Sequence, residues 1–304
     1  MKKIAKREFL QAVVDTIKMV SDVPLDVCVA DIERNNGKYD CIRIKCGQNT
    51  YTKIGVDSYY QMFCDGNLSA VANAAEAVIQ SQKNHQTHMD DIHDLTRKVT
   101  DYEWAKDMLR CRLVNTALNH DMLGRVPSIP FQDLSIIFYL TWDSNDGRCV
   151  ANVTNNLCAQ WEISTTVLFR DALANMQAEL PVRFQNMFEV MADLAEATAE
   201  DVEAIFNDID EPVLYVLTNK DTYMGAAVVL YPGVLESCAE KMGGDFYLIP
   251  SSIHEFLVTS LKDISPDELQ AMIQNINQTN VPPEEVLGDH AYLYSAAQKK
   301  IIIV

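Results

Sequence analysis

The chain has 304 residues, 48% hydrophobic and 22% charged, with 25 Lys+Arg against 43 Asp+Glu and a formal net charge of −18. These values exclude a disordered, collagen-like or coiled-coil chain and allow a core of ordinary size. The longest apolar runs, Ile136-Ile137-Phe138-Tyr139-Leu140 and residues 225–231, fall far short of the ~20 residues that a membrane-spanning helix needs, and the basic N-terminus has no apolar segment behind it, so the expectation is no membrane, no secretory signal and a cytoplasmic protein.

In chain order, Phe9, Val13, Ile17 and Val20 recur at helical spacing and predict an amphipathic helix over 6–20. Extended segments at 25–32 and 39–46 flank Asn35-Asn36-Gly37, a hairpin signal because Asn and Gly tolerate positive φ. Helices are expected at 56–63 and 69–82, and the polar stretch 81–100, which carries three of the six histidines, reads as a linker. Beyond it, 131–142 and 148–153 form a second hairpin around Asp146-Gly147. Helices follow at 165–176, 185–195 and 198–206.

The unbroken apolar runs 212–217 and 225–230 read as buried strands. Tyr231-Pro232-Gly233 opens a helix that ends at Gly243-Gly244. A third hairpin, 245–249 with 253–259, turns at Pro250-Ser251-Ser252, and Ser265-Pro266-Asp267-Glu268 is a capping box before a last helix. Residues 299–304 suit an edge strand. Hairpins between helices that do not strictly alternate with strands predict an α+β fold with mixed or antiparallel sheets flanked by helices. The expected division is a small neutral α/β unit, 1–100, and an acidic α+β domain, 101–304.

Several segments carry a family resemblance. Arg112-Leu113-Val114-Asn115-Thr116, Tyr215-Val216-Leu217-Thr218-Asn219, Gly225-Ala226-Ala227, Leu230-Tyr231-Pro232-Gly233-Val234-Leu235, Gly244-Asp245-Phe246-Tyr247-Leu248-Ile249-Pro250-Ser251-Ser252-Ile253-His254-Glu255 and Pro283-Glu284-Glu285-Val286-Leu287 resemble a domain-of-unknown-function family of anaerobic gut bacteria, often encoded beside mobile-element genes. The likeness is densest over 212–290. It implies a cytosolic bacterial protein, and no activity, cofactor or catalytic residue.

Charge supplies the main functional signal. Residues 1–100 carry 13 basic and 13 acidic side chains, whereas 101–304 carry 12 and 30. Segment 184–219 holds Glu189, Asp193, Glu196, Glu200, Asp201, Glu203, Asp208, Asp210 and Glu211 with no Lys or Arg. Such a surface repels nucleic-acid phosphates, which excludes direct nucleic-acid binding and suits a basic protein partner. A solvated helical surface is the plainer account of the same acids.

Candidate chemistry is sparse. Ser252, His254 and Glu255 bring a hydroxyl, an imidazole and a carboxylate together, but on a strand His254 and Glu255 point to opposite faces. His85, His88 and His93, with Asp90, Asp91 and Asp94, offer nitrogen and oxygen ligands without a His-Glu-x-x-His spacing. The turn 143–147 departs from a calcium loop, and no glycine-rich phosphate cradle is present, so no cofactor is expected. Eight scattered cysteines without a Cys-x-x-Cys pair read as reduced core thiols. The sequence therefore predicts a non-catalytic acidic interaction protein, with inhibition of a basic nucleic-acid-handling protein as one form of that role. The alternative is a hydrolase or metal-dependent enzyme using His254 and Glu255 or the His85–His93 cluster.

Overall fold

The computed structural model describes residues 5–21, 23–47, 51–87, 95, 97–144, 147–195, 214–261 and 264–304. It is an α+β protein with three antiparallel sheets, and the chain divides into two compact units, Met1–Val99 and Thr100–Val304.

In the first unit, helix α1 (Lys6–Val20) turns Phe9, Leu10, Val13, Val14 and Ile17 inward, the face that its apolar spacing predicts. Strands β1 (Val27–Arg34), β2 (Gly37–Lys45) and β3 (Tyr51–Ile54) form a sheet in that order. The first hairpin closes on Arg34 opposite Gly37, with Asn36 at φ 65 in the turn. Helices α2 (Asp57–Cys64) and α3 (Ala70–Thr87) complete the unit, whose core joins the α1 face to Ile42, Ile44, Ala74 and Val78.

The second unit contains the other two sheets. In the smaller, β6 (Leu134–Ser144) is central, with β4 (Leu109–Asn115) along one side and β5 (Ser128–Phe131) and β7 (Gly147–Asn152) along the other. Helices α4 (Asn155–Trp161) and α5 (Thr165–Glu179) follow, and Met176 of α5 packs on Cys111 of β4. The larger sheet has the order β13-β12-β10-β11-β9-β8, made by β8 (Val182–Asn186), β9 (Tyr215–Asn219), β10 (Phe246–Ser252), β11 (Glu255–Ser260), β12 (Tyr292–Ser295) and β13 (Lys300–Ile303). The chain's last strand is thus a sheet edge. Helix α6 (Met187–Ala195) follows β8, and α7 (Val234–Met242) precedes β10. Helix α8 (Pro266–Thr279) buries Leu269 and Ile273 against Val216, Tyr247, Ile249 and Leu257 of the larger sheet.

Three sequence expectations are corrected. Residues Gly225–Leu230 form a buried 3-10 helix instead of a strand, because an apolar run buried on all sides has no periodicity to separate the two. Helix α6 starts two residues later than expected: Asn186 ends β8, and its side chain accepts the Phe188 N–H at 2.9 Å. The third hairpin turns at Ile253-His254, so β10 runs through Pro250, Ser251 and Ser252. The expected helix 198–206 lies outside the described residues.

Helix α8 carries the anticipated capping box: Ser265 Oγ accepts the Glu268 N–H, and the Glu268 carboxylate accepts the Ser265 N–H at 3.0 Å. Ser265→Ala is expected to cost about 1 kcal/mol in urea unfolding, because it leaves donors of the first turn unmet. Burial pushes the thiols of Cys111 and Cys238 up to about 12, which keeps both protonated. Iodoacetamide at pH 8 is therefore expected to spare these two in the native chain while modifying the part-exposed Cys149, a difference that peptide mass spectrometry reads directly.

Candidate functional site

Strand β4 reads Leu109-Arg110-Cys111-Arg112-Leu113-Val114, and every one of these residues is buried. Its alternation places two arginines on one face. Arg110 compensates its charge with Glu179 of α5 and donates to the backbone carbonyls of Asp107 and Leu109 at 2.8 Å. Arg112 has no such partner among the described residues. It is 9% exposed, and its Nη2 donates to Asn152 Oδ1 at 3.1 Å. Among the described residues its Nη1 meets the Met224 sulfur at 3.7 Å, and its buried Nε has no hydrogen-bond partner. Burial pulls the guanidinium below its usual range, opposed only by Tyr139 and Tyr223. No carboxylate among the described residues neutralises it, although buried charges are ordinarily paired.

Tyr139 and Tyr223 line an open cavity of about 230 Å³. Around it stand Arg110, Arg148 and Lys220 with Asp143, Glu179 and Asp221, and Trp142 adds an aromatic wall. Arg148 bonds Asp221 at 3.3 Å and lies 5.9 Å from the Tyr223 ring centroid. Lys220 has no ion pair among the described residues. Three of the unit's twelve basic side chains line this cavity beside three carboxylates, and Arg112 lies behind it, 5.9 Å from the Tyr139 ring centroid.

The loop after β9 shapes the other wall. Asn219 is 1% exposed, and its Oδ1 accepts the N–H groups of Asp221 and Tyr223 while its Nδ2 donates to the Tyr223 carbonyl at 3.0 Å. Thr222 at φ 52 and Met224 at φ 50 occupy left-handed conformations, a strain that clusters at functional positions. Gly225 then lies directly against Thr218, Asn219 and the His254 carbonyl.

His254 belongs to this wall. It sits in the β10–β11 turn, where its Nδ1 accepts the Met224 N–H at 3.0 Å and its ring lies 5.6 Å from that of Tyr223. The ring proton is thereby directed to Nε2, 3.6 Å from Glu285 Oε1. Ser252 does not act on the imidazole: its Oγ accepts the backbone N–H of His254 at 3.0 Å, a turn bond. Glu255 accepts from Ser251 at 3.3 Å. The expected opposition of His254 and Glu255 across a strand is replaced by a turn, and the three side chains form no nucleophile–base–orienter series.

The other sequence candidates lie elsewhere. His85 is on α3, with Nδ1 on the Ser81 carbonyl at 2.9 Å and Nε2 on Thr52 Oγ1 at 3.3 Å, while His88 and His93 fall outside the described residues. Of the nine acids proposed to face a partner, Glu189 and Asp193 are described. Glu189 accepts the Asn186 N–H at 3.1 Å as a helix cap, and Asp193 lies 3.8 Å from Arg183. Glu196, Glu200, Asp201, Glu203, Asp208, Asp210 and Glu211 lie outside the described residues.

Fold and site define an α+β protein whose acidic second unit holds an open cavity, lined by three cations and three carboxylates, between a strained loop and a β-sheet. The chain belongs to a family of unknown function, DUF5688, whose family model matches residues 6–296. No curated protein and no solved structure matches it.

Proposed function

We propose that the protein is a binding protein whose second unit takes a small anionic ligand, a carboxylate or phosphate compound with an apolar or aromatic body, in the cavity at Tyr139 and Tyr223. The observation that carries this reading is the buried Arg112 guanidinium without a carboxylate. In a low-dielectric wall an uncompensated cation acts over several ångströms, and a ligand anion supplies the missing counter-charge. Lys220 and Arg148 offer donors at the mouth, and Trp142 and Tyr223 offer surfaces for an apolar body. The engagement of Ser252 in a turn bond favours binding over hydrolysis.

The test is a thermal-shift screen of the full chain against a panel of carboxylates and phosphates at low and high salt. The reading expects one chemical class to raise the melting temperature saturably, and Arg112→Met to abolish that rise. A response that persists in the variant, or no response to any anion, refutes it.

A second reading is favoured by the charge asymmetry: 30 acids against 12 basic residues over 101–304 suit docking on a basic protein. In this form the protein is a cytoplasmic interaction protein, and the gut-bacterial, mobile-element setting of the resemblance suits an inhibitor of a nucleic-acid-handling protein. Capture of a basic partner from a bacterial lysate at low salt, lost at high salt, supports it, and capture unchanged by salt contradicts the electrostatic docking.

A further inference from the structure

The turn between β5 and β6 and the segment before β12 bring three side chains together that the cavity does not use. His290 Nδ1 lies 2.8 Å from Asp289 Oδ1 and 3.5 Å from Asp133 Oδ2, and the three donor atoms are all within 4.8 Å of one another. Donors bound at about 2.1 Å to one ion are separated by roughly 3.0 Å along an octahedral edge and roughly 3.4 Å along a tetrahedral one, so the separations of 2.8 and 3.5 Å are close to the edges of a first coordination shell.

Hydrogen bonding does not account for the arrangement. Nδ1 of His290 is buried and has no hydrogen-bond partner among the described residues, although two carboxylate oxygens stand this close to it. A ring nitrogen and two carboxylate oxygens converge here as ligands converge on a shared centre. Asp133 is itself held in place: Tyr292 donates its hydroxyl to Asp133 Oδ1 at 2.5 Å, and Oδ2 is the oxygen near His290. Metal-binding carboxylates are commonly fixed in this way by an outer hydrogen bond.

We infer that Asp133, Asp289 and His290 form a site for a divalent first-row cation, with Tyr292 as a positioning residue. Two carboxylates and one imidazole balance a doubly charged ion, and this mixed oxygen and nitrogen set suits Mn²⁺ or Zn²⁺ better than a thiol-seeking ion. Asp289 is exposed and His290 part-exposed, which leaves coordination positions open to water. Asp133 comes from the smaller sheet and the other two residues from the approach to the larger one. Their neighbours already join the two sheets, through Gln132 Nε2 to the Ile301 carbonyl at 3.0 Å and Asn115 Nδ2 to the Leu287 carbonyl at 3.2 Å. Bound metal therefore staples the second unit at this edge.

Mn²⁺ is the probe of choice, because the chain's eight cysteines compete poorly for a hard ion. Full-length protein stripped with a chelator is titrated with Mn²⁺, and free aquo ion is followed by electron paramagnetic resonance. One equivalent is expected to bind, with a rise of a few degrees in melting temperature. Asp289→Asn at an exposed position and His290→Ala at a part-exposed one should each weaken binding more than tenfold, and Tyr292→Phe by about tenfold. Circular dichroism of each variant confirms that it is folded. The site is overturned if the wild-type chain takes up no stoichiometric Mn²⁺, or if uptake is unchanged in both ligand variants.

Discussion

Replacing Arg112 by methionine is expected to stabilise the chain while removing its capacity to bind an anion. The side chains are similar in reach, so the strand packing and the contact with Met224 persist. The variant loses the bond to Asn152, worth about 1 kcal/mol. It also releases a desolvated charge that no carboxylate offsets, and exchanging even well-paired buried ions for apolar residues is often stabilising by about 1–4 kcal/mol. Subtracting the first from the second leaves a net gain of up to about 3 kcal/mol, visible in urea unfolding and as a raised melting temperature. A cation kept against stability is the expected mark of a residue retained for ligand binding. If Arg112 instead served only to order the core, the methionine variant would be less stable than the wild type.

The largest destabilisation is expected at Gly225. A Cβ built there lies 2.6 Å from the His254 carbonyl oxygen and 2.8 Å from the Asn219 nitrogen, and closer still to Thr218 Oγ1. Two of these obstacles are backbone atoms on separate elements, the β10–β11 turn and the end of β9, so no side-chain rotation relieves the clash. The bond from Thr218 Oγ1 to the His254 carbonyl at 2.7 Å and that from the Ala226 N–H to the Ile253 carbonyl at 3.3 Å would both be strained as the elements part. Gly225→Ala should cost about 4 kcal/mol or more, among the large single-residue effects. Gly233→Ala is the comparison: a Cβ there meets nothing within 4 Å, and only its positive φ resists, at roughly 1–2 kcal/mol. Denaturant midpoints of the two variants read the difference, and equal losses would show that close approach at Gly225 does not matter.

Periodicity made much of this architecture legible before the structure. The α1 face, the Asn36 turn and the Ser265 capping box follow from local rules that tertiary packing did not override. Residues Gly225–Leu230 were illegible for a physical reason: burial on every side erases the pattern that separates helix from strand. At the cavity, His254 stood out in the sequence for its chemistry, yet its partners Met224 and Glu285 are 30 and 31 positions away and meet it only through the fold. Arg112 carried a signal that was readable: two arginines alternating within an otherwise apolar strand have to be buried or to mark a wet face, and the sequence does not say which. The Asp133, Asp289 and His290 cluster joins residues more than 150 positions apart, and no spacing rule reaches that far.

The most direct test of the central claim, that a ligand anion answers the buried charge of Arg112, is native mass spectrometry. Wild type and Arg112→Met are each incubated with the anion class that the thermal screen selects. The account predicts one ligand mass retained on the wild-type chain and none on the variant. The same mass on both chains, or bare masses for both, would contradict it.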